Sequence, residues 1–417
     1  MIGEGRYAEA LTFFQGLYER EPSGFHAWLF ARIDEDRVRA GETVDRALRE
    51  GRTHPGIEWL ATSRRAADLA LEGKIEEALK LVEGSTAGAR IDPASVFQER
   101  AGYAAMIGNL DKALSLIKRA RRLDPMDPGI HSDLVAILRL RGDVGEMTEE
   151  IRNPPRYRRY SYIGAAEATL SANLGDRQSA LEAWRRVLEL PLDPYGLRSA
   201  RAHAYEALGD HAAAVEEIKA EARLLRHGIA HRIYLAFDLM ARDRSAAEAA
   251  IQSEYERNPR LFETIRAMAW VDFCRGRYRE SADLYTRALA LAPGEPDLWV
   301  ARAAVRMRQG ANDLAEKDLS RALKLYDRNP GALRELGRIH LDAGDWTRCE
   351  RDFSTLALAE DPEPEDLRLY SRCSRGSGHA ERGIAALDKA LENAPGIGRF
   401  IDLARVYVEA KQAAKKP

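Results

Sequence analysis

Glycine returns through this chain at a nearly fixed interval, and that interval is the strongest constraint on what the chain can become. The glycines are Gly5, Gly41, Gly73, Gly108, Gly142, Gly175, Gly209, Gly276, Gly310, Gly344 and Gly378, and Ala241 fills the one gap. Successive steps fall between 32 and 36 residues. A period of that length marks one supersecondary unit used again and again, each burying its apolar face against its neighbours. A single core would normally split into domains at 417 residues, and a repeat array escapes that limit.

Fixed offsets from the glycine describe the unit. Asp follows it in Gly175-Asp176, Gly209-Asp210 and Gly344-Asp345. Glycine suits the end of one helix and Asp caps the next. Five residues on, ten of twelve units carry a small residue: Ala10, Ala78, Ala113, Ala180, Ala214, Ala246, Ser281, Ala315, Cys349 and Gly383. A small side chain lets two helices approach. Nine residues on, the site is bulky in most units, as at Phe14, Ile117, Trp184, Tyr285, Leu319 and Phe353. Proline closes the second helix at Pro22, Pro125, Pro293 and Pro395, each 17 residues after its glycine.

The period, the small residue, the bulky residue and the closing proline resemble the tetratricopeptide repeat family over essentially the whole chain. Trp299 and Leu336-Gly337 stand where that family places its first-helix signature. The resemblance implies an all-α fold: an α-solenoid of antiparallel helix pairs in a right-handed superhelix, with first helices lining a concave groove that holds peptides. Five departures are visible. Gly5 to Glu21 reads as a lone second helix, and 398–411 as a lone first helix. The second unit is weak, with Arg46 and Glu50 at the packing positions. The eighth, with Ala241, is degenerate. In the fifth, Asn153-Pro154-Pro155 stops the second helix early, and RYRRYSY follows. That break divides the array into repeats 1–153 and 156–417.

Composition excludes several classes. Net charge is −2, so no global field favours nucleic acid or an anionic membrane. Arg156–Tyr162 mixes arginines and tyrosines, but no second such cluster supports nucleic-acid binding. No apolar run is long enough for a transmembrane helix, and the start of the chain lacks a signal-peptide core. Cys274, Cys349 and Cys373 are an odd, sparse set, which argues against a disulfide framework and fits a reducing, cytoplasmic setting. There is no catalytic motif, and helix pairs fill the length, so no enzyme activity and no cofactor are expected.

On the implied geometry the groove is lined by residues ten, six and three before each turn glycine. In the last two repeats these include Arg334, Arg338, Arg368, Arg372 and Arg375, with Arg308 and Arg399 near the same face. Guanidinium groups suit carboxylates and phosphates. The alternative is a solvated face neutralised by Asp342, Glu365 and Asp366. One step N-terminal, Arg266, Trp270 and Phe273 are expected on the groove, with burial of the Trp between units as the alternative. His203, Glu206, His231 and Asp238 also share that surface. Ordinary polar lining is favoured there over a metal site, so none is assigned. The expectation is a non-catalytic scaffold that binds an acidic partner peptide. Two alternatives are a substrate-positioning region of a larger enzyme, such as a glycosyltransferase or sulfotransferase, and a peptide-responsive regulator.

Overall fold

A computed structural model describes residues 7–414 apart from 22, 34–36, 86–89, 91, 155–160, 191–197, 225–228 and 395–396. Gly5, Pro22, Pro155 to Tyr160, His227 and Pro395 therefore lie outside the described residues, as do the side chains of Ala10 and His231. Among the described residues there are 24 helices and no strand. α1 (Tyr7–Arg20) precedes eleven first-and-second pairs. These are α2 (Gly24–Ile33) with α3 (Arg37–Arg49), α4 (Pro55–Leu71) with α5 (Ile75–Gly84), α6 (Pro93–Met106) with α7 (Leu110–Leu123), and α8 (Pro128–Arg141) with α9 (Val144–Arg152). Then come α10 (Ser161–Asn173) with α11 (Arg177–Glu189), α12 (Arg198–Ala207) with α13 (His211–Leu224), α14 (Ile229–Leu239) with α15 (Arg244–Arg257), and α16 (Phe262–Cys274) with α17 (Tyr278–Leu291). The last are α18 (Pro296–Arg308) with α19 (Asn312–Leu325), α20 (Pro330–Asp342) with α21 (Trp346–Ala357), and α22 (Pro364–Gly376) with α23 (Ala380–Glu392), before the single helix α24 (Ile397–Ala414).

Local chemistry sets the boundaries. Asp127 accepts from the Ile130 amide and Asn329 from the Ala332 amide, each followed by a proline at the first helical position. From Gly73 to Gly378 every turn glycine has a positive φ, for example 74° at Gly276. The Gly276 and Arg277 amides then donate to the carbonyls of Phe273 and Asp272, closing the helix before them. The expected packing positions are filled as read: Ala113, Ala315, Ile117, Leu319 and Phe353 have no exposure.

Two repeats differ from the sequence phase. Gly41 lies inside α3, which already begins at Arg37, and makes no turn. Val44 and Ala47 thereby become the core residues, while Arg46 and Glu50 are exposed. The second repeat looked weak because its phase was set on the wrong glycine. At Ala241 no non-glycine residue adopts positive φ. The connection from Leu239 to Arg244 is one residue longer than that from Cys274 to Tyr278. Consequently Ala246 is exposed and Ala247 takes the buried small position, with Ile251 as the bulky one. α9 ends at Arg152, as Asn153-Pro154 demands.

The described chain divides into two compact units. Unit 1 comprises residues 1–163, 187–271 and 290–292; unit 2 comprises 164–186, 272–289 and 293–417. Within unit 1, Tyr18, Ala27, Val44 and Ile57 form one apolar cluster, and Ala202, Ala214 and Ile218 another. Arg260 also pairs with Glu76 at 3.2 Å, across 184 residues of chain. In unit 2 the core runs through Ala303, Leu319 and Leu336 and then through Phe353, Leu367, Tyr370 and Leu387. There Arg177 pairs with Glu363, 186 residues away, and with Asp361 at 3.4 Å.

The cysteine expectation is corrected. Cys349 of α21 and Cys373 of α22 form a disulfide with their Cα atoms 5.6 Å apart, and Cys274 stands outside it. The spacing of 24 residues carried no signal, because the two meet only when consecutive repeats stack. A formed disulfide belongs to oxidising surroundings, so the cysteines no longer point to a reducing compartment.

Candidate functional site

The arginines of unit 2 sit on first helices, as the period requires, and most of them meet acids. Arg334 of α20 grips Asp366 of α22 through Nε and Nη2, both at 2.8 Å. That hydrogen-bonded pairing raises the guanidinium pKa further. Arg338 pairs with Glu335 at 2.6 Å. Arg368 reaches Glu365 at 2.8 Å and Glu409 of α24 at 3.2 Å. Arg399 spans Asp361 at 3.1 Å, Glu363 at 3.3 Å and the Pro362 carbonyl at 2.6 Å. Glu365 and Asp366 occupy the first turn of α22, where the helix dipole favours acids, so this helix offers carboxylates to Arg368 and Arg334. Asp342 is exposed and takes no part in these pairings.

Three of the expected residues stay apart from this pattern. Arg308, Arg372 and Arg375 are exposed and meet no carboxylate among the described residues. Arg372 and Arg375 border a cleft of about 160 Å³ between α22, α23 and α24. Ala380 and Ile384 of α23 and Val406 and Ala410 of α24 supply its apolar walls. Gly383 brings α23 close to α22: a Cβ there would stand 2.6 Å from Ser371 Cα. Ser371 also lines the cleft, and its buried hydroxyl has no hydrogen-bond partner.

On α16 the three expected groove residues divide. In unit 1, Arg266 is exposed, with its guanidinium 5.7 Å from the Phe262 ring centre. Trp270 is half-buried and lies edge-on to Phe237 of α14, centroids 5.2 Å apart. In unit 2, Phe273 is half-buried against Tyr278 at 5.8 Å. His203 has its pKa lowered by burial first and then by the charges of Arg266 and Arg139.

The polar residues of unit 1 assemble differently from the expected set. His211, at the start of α13, lies 2.5 Å from Glu206 and 2.9 Å from Asp238. Tyr234 donates to Glu206, and Arg242 pairs with Asp238 at 2.7 Å. The hydrogen bonds to Asp238 and Glu206 raise the His211 pKa, which favours the protonated form of the ring that joins the two carboxylates. Among the described residues no group of His, Cys, Asp or Glu could hold a metal ion. In sequence His211 belongs to the cluster of His203, His211, His227 and His231, but the period assigns second-helix residues to the outer layer and so left it off the groove. Asp133 of α8 was missed too. Burial pushes its carboxyl up to about 6, although Gln98 donates to it at 2.8 Å.

A tetratricopeptide repeat family model matches residues 266–332 and 300–363. No curated protein matches the chain. Among solved structures, the APC/C hetero-tetramer Cut9–Hcn1 is similar at 16% identity with a TM-score of 0.49, over 98% of this chain and 88% of that one. Yeast Tom70 is similar at 11% identity and a TM-score of 0.38, over 85% and 96%. PilW, titled a widely conserved type IV pilus biogenesis factor, is similar at 20% identity and a TM-score of 0.41, over 50% and 96%. No helix among the described residues is long and apolar enough to cross a membrane. The family model places tetratricopeptide repeats at 266–363, and the same glycine-turned helix pair recurs on both sides of that window.

Proposed function

We propose that the chain is a non-catalytic scaffold that holds an acidic segment of a partner protein against the first helices of its last repeats. Protein–protein interaction is the general role of tetratricopeptide arrays; the acidic partner and the place of binding are the proposal. One observation carries it. In a row where Arg334, Arg338, Arg368 and Arg399 are each held by acids, Arg372 and Arg375 are left exposed with no carboxylate partner among the described residues. Solvated ion pairs contribute little, but a guanidinium that is desolvated against a carboxylate on binding contributes more. A pre-formed helical surface also reduces the ordering cost on the protein side.

The test is fluorescence anisotropy with a labelled Glu-rich peptide and a Lys-rich peptide of equal length, each at low and high salt. The acidic peptide is expected to bind, to weaken as salt rises, and to lose about tenfold or more in affinity in the double variant Arg372→Glu, Arg375→Glu. Both residues are exposed, so the variant keeps its thermal unfolding profile. Equal affinity in the wild type and the double variant would overturn the proposal.

A further inference from the structure

In both units the chain folds back on itself. In unit 1, Arg260, in the connection after α15, pairs with Glu76 of α5 at 3.2 Å. Beside it, the Arg257 carbonyl lies 3.9 Å from where a Cβ on Gly73 would stand. One repeat on, a Cβ on Gly108 would meet the Ala290 carbonyl and the Leu291 side chain, each at 3.2 Å. In unit 2, Asn329 donates from Nδ2 to Asn173 at 3.4 Å. A Cβ on Gly175 would stand 2.9 Å from the Arg328 carbonyl. Arg177 pairs with Glu363 and, at 3.4 Å, with Asp361. The pattern is the same each time. The turn inside one helix pair meets the connection that follows a later pair, and the side-chain partners are 156 to 186 residues apart. We infer that each unit is closed by such a seam, and that the exposed ion pairs across it let the seam part while the helix pairs stay folded.

Glycine has two uses at these turns. From Gly73 to Gly378 the turn glycines take the positive φ that closing a helix requires. Gly209, Gly276, Gly310, Gly344 and Gly378 do so in open space, where a Cβ would meet nothing within 4 Å among the described residues. At Gly108 and Gly175 the missing Cβ also makes room for a carbonyl far along the chain. The period hides this second use, because nearly every repeat carries the glycine for its own turn.

What crosses the seam separates readily. Each repeat coheres through side chains with no exposure, such as Ile117, Leu319 and Phe353. The seam offers backbone, two Asn amides and ion pairs that stay wet: the side chains of Glu76 and Arg260 keep 53% and 66% of their exposure. Exposed pairs contribute little and are screened by salt. Arg399 of α24 also holds both Asp361 and Glu363, so withdrawal of Arg177 leaves neither acid unpaired. Closed, the seam fixes the spacing of the repeats between its two edges; parted, it lets them spread. Ionic strength thereby sets the geometry of the first-helix face, whether or not an acidic segment binds there.

Small-angle scattering on the full chain, with circular dichroism as the check on folding, tests this. Glu76→Arg is expected to raise the radius of gyration by roughly 2 Å on the size scale of a chain this long, with helix content unchanged. Adding Arg260→Glu restores opposite charges and is expected to return the wild-type value. The wild type is expected to move towards the Glu76→Arg value as salt rises to about 1 M. Two further variants separate the seam from the turn. Asn tolerates the left-handed conformation, so Gly175→Asn and Gly344→Asn burden their own turns alike. Only Gly175→Asn is expected to expand the chain. Equal radii for these two variants, or no expansion in Glu76→Arg, would overturn the inference. Expansion accompanied by loss of the helix signal would overturn it too, since that is unfolding and not parting.

Discussion

Asp133 is the residue whose charge the fold least favours. It is held among first helices of unit 1, with Asp127 adding a like charge and only Gln98 donating to it. Its folded pKa of about 6 lies above the ordinary 3.8. The raised value means that Asp133 favours the folded state below pH 3.8 and that this contribution disappears as pH rises through about 6. Asp133→Asn keeps an acceptor for Gln98 and removes the ionisation. At pH 8 the variant should be more stable by about 3 kcal/mol, the free energy of the rise from 3.8 to about 6. The gain should shrink towards zero by pH 4. Denaturant midpoints at the two pH values decide it, and an equal difference at both would show that the carboxyl ionises freely in the folded protein. The His211 pKa is raised by its hydrogen bonds to Asp238 and Glu206, and the ring occupies both carboxylates at once.

At the level of the helix pair, α20 and α21 show why small residues recur. A Cβ on Gly337 would stand 2.3 Å from a carbon of the Phe353 ring, and that ring has no exposure and no room to retreat. Alanine is the better helix former by about 1 kcal/mol. The clash should outweigh it, so Gly337→Ala is expected to destabilise by roughly 1–3 kcal/mol. Phe353→Leu in the same chain should recover part of that loss, because the smaller side chain vacates the space. A double-mutant cycle with no coupling would sink this account of the close approach. Polar pairs fasten the same layer. Arg302 holds Asp318 through two bonds of 2.9 and 2.7 Å, and His340 meets Asp352 at 2.6 Å, all within single helix pairs.

Across the molecule, each repeat is packed chiefly on the repeats before and after it, so stability should be distributed repeat by repeat. Hydrogen exchange on Gly337→Ala tests that. Protection is expected to fall over α20, α21 and α22 and to persist in α4 to α7 of unit 1. A uniform loss along the chain would mean that the array unfolds as one body. The disulfide between Cys349 and Cys373 lies inside the weakened region and ties α21 to α22, so it should limit the spread at that joint.

Much of the architecture was legible because it depends on neighbours in sequence. Turn glycines, capping Asp and Asn, and the small and bulky offsets act within some 34 residues, and a pattern repeated twelve times identifies itself. The phase failed at Gly41 and Ala241 for a local reason. One glycine sat inside a helix, and one turn lengthened by a residue because alanine does not take the left-handed conformation that its glycine counterparts use. The site was legible only as a set of positions. Spacing placed Arg334, Arg338, Arg368, Arg372, Arg375 and Arg399 on first helices, but charge is neutralised through space. Asp366 lies 32 residues from Arg334 and Glu409 lies 41 from Arg368, and side-chain reach decides which pairs form. The amino-acid sequence by itself determined a tetratricopeptide solenoid, since its rules are short-range. Only the tertiary structure decided which arginines remain free, which cysteines join and where a cleft opens, because those follow from the stacking of one repeat on the next.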